Sequence, residues 1–490
     1  MNALRNKLIG LFALTSVIGL ISCQEFLTED PRNFIDPAGF YATEVDAEAG
    51  IVGIYDQVAR RDLVVAYHVP NHNNSDETYP WSFSTYDIGF DFTPDINMCG
   101  FAWNEAYDGI NRANSFIGAL EGKEVSWPEA NRDKLVAEAK FLRSYFYYIL
   151  VNYFGDVPLV KKIADSESEW YPARSPRAEV IAFMKLDLEE AIAGLPKKSE
   201  LVGENISRAN QDAARMMMAK LLMMEENWSD AKTYIDEIIA SGEYDLEIQY
   251  ADNWRTSNEH GIESIFEVEF EFGLSPTEGH QLMQYSGPAS YRHPVNNAVM
   301  RGAFTGIAFT HYFYNSFESI DVRKTMFLDT ARHDGPWGRF FIGKYFDPVS
   351  MTATFGSAPT NWVMFRYADV LLMSAEVENE IASGPNGTAY LNINEVRKRA
   401  GLADLIPGLT HDQFLDSVFV ERQKELCFEG HRFFDLKRRG FDYMKKWVVP
   451  ARQQLIGWLG LTIDYSPYVT EDDMFLPIPR AETDANPNLK

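Results

Sequence analysis

LVAEAKFLRSYFYYILVNYFGDVP, residues 135–158, is the stretch on which the fold turns. Phe141, Tyr145, Phe146, Ile149 and Tyr153 recur three or four residues apart, the spacing that stacks side chains on one face of an α-helix. Gly155 and Pro158 then stop the helix, since glycine opens the left-handed conformation and proline has no amide hydrogen to donate. Upstream, Ala102–Leu120 carries Trp103, Tyr107, Ile110, Ala113 and Ile117 at the same spacing. Downstream, helices are predicted over Glu179–Gly194, Ala209–Glu226 and Ser229–Ser241, the last two parted at Asn227-Trp228. These are helical hairpins in series. Ala213, Ala219 and Ala231 stand where two helices can approach closely, and the spacing resembles degenerate tetratricopeptide units that lack most signature residues.

Between Tyr250 and Phe365 the helical period gives way to Gly, Pro, Asn and aromatic residues, with one alternating segment, Ser264–Phe270, that reads as a strand. Helical spacing returns at Tyr367–Ile381, Tyr390–Arg399 and His411–Phe428, and the tail from Asp464 is turn-rich. The expected fold is mainly α: helical hairpins with tetratricopeptide-like repeats, long aromatic-rich loops and a few short strands. Long irregular segments in a compact domain are either functional or disordered, and aromatic content argues against disorder. No Gly/Ser-rich or Pro-rich linker interrupts the chain. The expected division is a signal peptide at 1–22, an N-terminal region at 23–240 with the tetratricopeptide-like helices, and a C-terminal region at 241–490, loop-rich and then helical.

At the N-terminus Arg5 and Lys7 precede an apolar run from Leu8 to Ile21, which ends in Leu20-Ile21-Ser22-Cys23. A run of this length, broken by Gly10, Thr15, Ser16 and Gly19, is too short to span a bilayer and reads as a secretory signal. Small residues before a cysteine resemble the lipobox of bacterial lipoproteins, so Cys23 is the expected lipidated N-terminus, and Gln24 gives no sign of inner-membrane retention. Several acyl chains anchor a protein stably where one does not. Loss of Arg5 and Lys7 with the signal moves the formal charge from −26 to −28. So acidic a chain, without a basic stripe, is not a nucleic-acid binder. Only Cys99 and Cys427 then remain, too few to staple the fold, so the core must be hydrophobic.

The charged C-terminal motif reads physically as an ion-pair network. On one continuous helix Arg422 and Glu425, and Glu429 and Arg432, are neighbours at i,i+3, and His431 and Asp435 at i,i+4, flanked by Leu426, Phe428, Phe433 and Phe434. A zinc site through Glu429, His431 and Asp435 would need further converging ligands, and no second histidine lies nearby. No metal or cofactor is expected.

A family resemblance rests on several motifs in order. Trp103-Asn104-Glu105-Ala106-Tyr107 runs into Ile110-Asn111-Arg112-Ala113-Asn114; Glu138-Ala139-Lys140-Phe141-Leu142-Arg143 leads to Tyr153-Phe154-Gly155-Asp156-Val157-Pro158. Arg366-Tyr367-Ala368-Asp369-Val370-Leu371-Leu372 and Val396-Arg397-Lys398-Arg399-Ala400-Gly401-Leu402 follow. Glu421-Arg422, Glu425-Leu426 and Glu429-Gly430-His431-Arg432-Phe433-Phe434-Asp435-Leu436-Lys437-Arg438 come next, and Pro477-Ile478-Pro479 and Asn486-Pro487-Asn488 close the chain. Over nearly its whole length the sequence resembles the SusD/RagB nutrient-binding lipoproteins of Bacteroidetes. The resemblance implies a helical lid over a SusC-like TonB-dependent transporter in the outer membrane, facing the cell surface, with an oligosaccharide or, in the RagB branch, a peptide as ligand. It also implies that the tetratricopeptide-like face meets the barrel rather than the nutrient.

Sugar capture calls for exposed aromatic faces against the C–H faces of pyranose rings, with polar side chains for the hydroxyls. Loops supply these best. Two segments qualify: Asn71-His72-Asn73-Asn74-Ser75-Asp76-Glu77 on to Tyr79, Trp81, Phe83 and Tyr86, and Tyr285, Tyr291 and Arg292 with, farther on, Trp337, Arg339 and Phe340. The expected ligand contacts are Asn73, Asp76, Tyr79, Trp81, Tyr291, Arg292, Trp337 and Arg339, whereas Phe83 and Phe340 read as core. Calcium at the oxygen-rich run 73–77 is the weaker alternative, since EF-hand spacing is missing. A surface glycoside hydrolase is the rival from another class; it needs two carboxylates at a set separation, which the sequence leaves open. No nucleophile elbow, P-loop or zinc signature is present, so no catalysis is expected. A lipoprotein that braces a barrel without touching nutrient is the third reading.

Overall fold

The computed structural model describes residues 41–79, 93–271, 279, 282, 307–329, 340–347, 358–458, 464 and 466–490. Cys23 and the signal segment lie outside the described residues. The chain is mainly helical, as its sequence predicts, and the helices pack in series. They are α1 (Glu44–Ala59), α2 (Arg61–Asn73), α3 (Asn97–Leu120), α4 (Glu129–Tyr153), α5 (Arg177–Gly194), α6 (Gln211–Met224) and α7 (Trp228–Ser241). Each of α3 to α7 packs on the next, and α7 then packs on α9 (Tyr367–Ala382), which follows the short α8 (His311–Ser316). Helix α9 in turn packs on α10 (Gly387–Arg399) and α11 (His411–Glu425), and α12 (Arg432–Arg438), α13 (Phe441–Trp458) and α14 (Arg480–Ala485) complete the order.

Helix α4 is the axis of the first half. Every residue from Leu135 to Tyr153 is buried, so the helix has neighbours all round. Burial of a large apolar side chain is worth ~1.5–3 kcal/mol, and this helix contributes Phe141, Tyr145, Phe146, Tyr147 and Tyr153. Its charges are buried only with partners. Arg143 holds Asp187 at 2.7–2.8 Å and Asn114 at 2.7 Å, and Glu138 accepts from Tyr55 at 2.9 Å. At Gly109 of α3 a Cβ would stand 2.4 Å from the Phe146 ring, so glycine lets α3 and α4 approach.

Local chemistry sets the helix ends. Thr43 and Asp46 form a capping box at α1, Asn210, Asn227 and Asn386 cap α6, α7 and α10, and Gly242 (φ 66°) closes α7. One core cluster runs from Ala47 to Leu489 and so crosses residue 240; a smaller one joins α9, α10 and α11 through Leu371, Leu372, Ile393, Val396, Phe414 and Val418. No described helix is long and apolar enough to cross a membrane. Cys99 and Cys427 are buried.

Two sheets interrupt the helices. Strand β2 (Ser264–Val268) pairs antiparallel with β6 (Trp362–Arg366), which leads directly into α9. The second sheet has the order β1-β3-β5-β4, from β1 (Thr78–Tyr79), β3 (Ala308–Phe309), β4 (Phe327–Asp329) and β5 (Phe340–Ile342).

Two expectations fail. The run Asn71–Glu77 is not an exposed loop: α2 continues to Asn73 with Pro70 inside it, and all seven residues are buried. The helix expected over His411–Phe428 ends at Glu425, because Phe428 (φ 64°) and Gly430 (φ 84°) take left-handed conformations before α12 begins at Arg432.

Candidate ligand-binding site

At the small sheet segment 80–92 begins, segment 272–306 ends, and segment 330–339 both begins and ends. Tyr79 pairs with Ala308, Phe309 with Phe340, and Phe340 with Asp329. Segment 80–92 therefore leaves the strand next to the one at which 272–306 arrives, and segment 330–339 joins β4 to β5. Neighbouring strands lie ~4.8 Å apart, so the junctions, which sit on four adjacent strands, fall within roughly 15 Å of one another. Trp81 lies on the first segment, Tyr291 and Arg292 on the second, Trp337 and Arg339 on the third. Those five residues are outside the described ones; the described chain places the junctions of their segments together.

The junctions are held from below by the C-terminal motif. Arg323, just ahead of β4, contacts Glu421 at 2.6 Å and Glu425 at 3.1 Å, and Asp321 clamps it from the other side. Lys344, just after β5, donates to the Glu429 carboxylate at 2.7 Å and to the Glu425 carbonyl at 3.0 Å. Arg366, at the end of β6, donates to Glu263, Glu425 and Glu429 at 2.6–2.8 Å, and Arg399 adds pairs with Glu263 and Glu425. Trp254 lies 4.6 Å from the Lys344 ammonium and 5.6 Å from the Arg366 guanidinium, a cation–π lid on the cluster. With so many cations at hand, Glu425 ionises well below the usual carboxylate range and Glu429 is lowered too, in spite of burial.

The β1 junction is pinned by the next residues of the motif. Arg432 grips Asp76 through Nε at 2.8 Å and Nη2 at 2.9 Å, and Phe433 N–H donates to Asn71 Oδ1 at 2.9 Å. Arg452 of α13 donates to the carbonyls of Asn73 and Ser75. Beneath them His72 and Glu77 face each other at 3.6 Å. Burial lowers His72 to about 3 and raises Glu77 well above its usual value, so burial favours the neutral form of each.

The expected ligand residues therefore part company. Asp76 is fully buried and spent on Arg432, and Asn73 is buried, with its side-chain oxygen 3.4 Å from the Thr78 hydroxyl; neither faces solvent. Tyr79 is the last residue of β1, at the start of segment 80–92. Phe340, read as core, stacks on Tyr314 with ring centres 3.5 Å apart. The motif is the ion-pair network expected of it, with other partners. Arg422 binds Asp369 and Asp435 rather than Glu425, whose carboxylate is taken by Arg323, Arg366 and Arg399, and Arg432 binds Asp76 rather than Glu429, because the break at 426–431 removes that helical i,i+3 relation. Nothing local in the sequence marks Arg323 or Lys344 as the partners.

The described chain is a helical body with a small, ion-pinned sheet at which three sequence segments meet. The chain belongs to the SusD family. A model described as SusD family matches residues 327–490, and one described as starch-binding associating with outer membrane matches 43–223. SusD-like protein P25 of Formosa agariphila is 27% identical over 521 residues, covering 96% of each chain. A SusD-like protein of Bacteroides ovatus is 24% identical, covering 88% of this chain and 82% of its own. Among solved structures, a SusD homolog from Bacteroides thetaiotaomicron superposes with a TM-score of 0.79 at 22% identity, over 93% of this chain and 97% of that one. Surface glycan-binding protein A of the same organism, in complex with laminarihexaose, gives 0.73 at 23%, over 90% and 97%.

Proposed function

We propose that this protein captures an oligosaccharide with segments 80–92, 272–306 and 330–339 and delivers it to a SusC-like TonB-dependent transporter, without chemical change. The observation that carries this reading is the four-stranded sheet, which brings together the junctions of three segments that hold Trp81, Tyr291, Arg292, Trp337 and Arg339. Relatives add support: a starch-binding family description, and a similarly folded neighbour in complex with laminarihexaose. Lipidation at Cys23, after removal of residues 1–22, tethers the acidic body at the outer surface of the outer membrane. The regions 23–240 and 241–490 then share one core and act as one lid.

Affinity electrophoresis against neutral and acidic polysaccharides, with peptides as competitors, tests the reading. Retardation by a polysaccharide that is lost in Trp81→Ala or Trp337→Ala, with no product released, is the expected result. Peptide-only binding would turn the ligand into a peptide; released sugar would make the protein a hydrolase. Retardation unchanged in both variants would remove these loops from the site. A large barrel co-purifying through the intact lipoprotein checks the partner.

A further inference from the structure

The criterion that singles out Trp81, an aromatic among polar and proline residues, also fits Trp170-Tyr171-Pro172, which follow Glu169. Trp170 is 61% exposed and Tyr171 48%; among the described side chains they are the only exposed tryptophan and tyrosine. Both line one cleft of about 420 Å³, a size in the ~300–1,000 Å³ range of small-molecule sites. Trp103 and Tyr107 of α3 and Glu482 and Leu489 of the C-terminal tail complete its walls.

The frame is built rather than incidental. Tyr107 Oη donates to the Pro158 carbonyl at 2.8 Å. From the tail, Asn486 Nδ2 donates to the Pro172 carbonyl at 2.8 Å and Asn488 Nδ2 to the Tyr171 carbonyl at 2.7 Å, so two amides hold the aromatic pair in place. Arg480 of α14 binds Asp95 at 2.6 Å and 2.8 Å and donates its N–H to the Pro94 carbonyl. The tail is thereby tied to the point where segment 80–92 rejoins the described chain.

The polar lining decides the ligand. Asn104, Asp108 and Asn111 stand at i, i+4 and i+7 on α3, one helical face, and Glu169 and Glu482 add carboxylates, while no lysine or arginine lines the cleft. Sugar hydroxyls both donate and accept, which amides and carboxylates together answer; a cation would need acceptors alone. Glu169 is also partly neutralised by Lys162 at 3.4 Å. An anionic sugar would meet a lining that holds carboxylates and no lysine or arginine. We propose that this cleft is a second saccharide site, which stacks a neutral sugar unit on Trp170 and Tyr171 and rejects uronates and sulfated sugars. The inference rests on the glycan reading above but uses different residues.

Site-resolved titration separates the two. The full chain is labelled with 5-fluorotryptophan, and the Trp81, Trp170 and Trp337 resonances are assigned by single Trp→Phe substitutions. The probes are laminarihexaose, maltohexaose, xylohexaose and mannohexaose, with hexagalacturonate and tetralysine as charged counterparts. A shift of the Trp170 resonance with a neutral hexasaccharide, a dissociation constant raised about tenfold or more by Tyr171→Ala, and no shift with hexagalacturonate are expected. Silence at Trp170 across the neutral probes overturns the inference; if Trp81 or Trp337 responds meanwhile, the loop site stands alone. Response at Trp170 alone keeps this cleft and removes the loops. A Trp170 response confined to tetralysine overturns the sugar assignment in favour of a basic protein partner.

Discussion

At the scale of single residues, Arg432 shows how a polar run becomes interior. Asn73 to Glu77 reads as an exposed oxygen-rich loop because nothing near it in sequence can pair its carboxylates. The partner of Asp76 lies 356 positions away, and no local pattern announces it. Once Arg432 is in place, its Nη1 also donates to the Phe419 carbonyl at 2.8 Å, so one guanidinium joins Asp76, two residues ahead of β1, to α11. Removing one member of a buried pair leaves an uncompensated charge, at a cost of ~3–5 kcal/mol. Arg432→Ala is therefore expected to lower unfolding stability by that amount in urea titration. Asp76→Asn with Arg432→Met should lose less than Arg432→Ala, since no buried charge is then stranded. A double variant as unstable as Arg432→Ala would show that packing, not charge, dominates the position.

At the scale of elements, what the sequence reveals depends on length and period. The predicted helix ends at Leu120, Tyr153, Gly194, Ser241 and Arg399 match the structure, because many apolar positions repeat there. Strands of two or three residues have no period to detect, so the four-stranded sheet was invisible, as was the His-Pro-Asn-rich α2. The break between α11 and α12 escaped for a different reason: Phe428 is a bulky residue in a left-handed conformation, and the sequence gives little warning of that. Gly430 beside it makes a clean test. A Cβ there would stand 2.4 Å from the Tyr67 ring at φ 84°, whereas at Gly440, φ 90°, it would meet nothing within 4 Å. Gly440→Ala should cost only the left-handed backbone term of ~1–2 kcal/mol. Gly430→Ala is expected to cost clearly more in the same titration and to weaken polysaccharide retention, because the turn aligns Glu429 and Arg432 under the loop junctions. Equal losses at the two glycines would mean that Tyr67 yields freely.

At the scale of the whole molecule, the buried polar layer makes stability depend on pH in a way that single substitutions can dissect. Burial lowers His431 to about 4, with Lys220 adding to the effect, and His72 to about 3, with Lys344 and His431 adding to it. Unfolded histidine titrates near 6.5. Each contributes stability that is complete above about 6.5 and lost as pH falls towards its folded value, at ~1.4 kcal/mol per pH unit. Glu77 acts with the opposite sign. Burial raises its folded value well above the usual 4.5, so its contribution is complete below that and is lost as pH rises through the folded value. Between pH 4.5 and 6.5 two histidines thus oppose one carboxyl. Relative to the unaltered protein, His431→Asn should flatten the rise of unfolding free energy with pH by up to ~1.4 kcal/mol per unit, and Glu77→Gln should steepen it. Urea titrations at half-unit steps of pH read these slopes directly. Three parallel curves would mean that His431 and Glu77 titrate alike in the folded and unfolded chain, and that the layer under the loops is open to water.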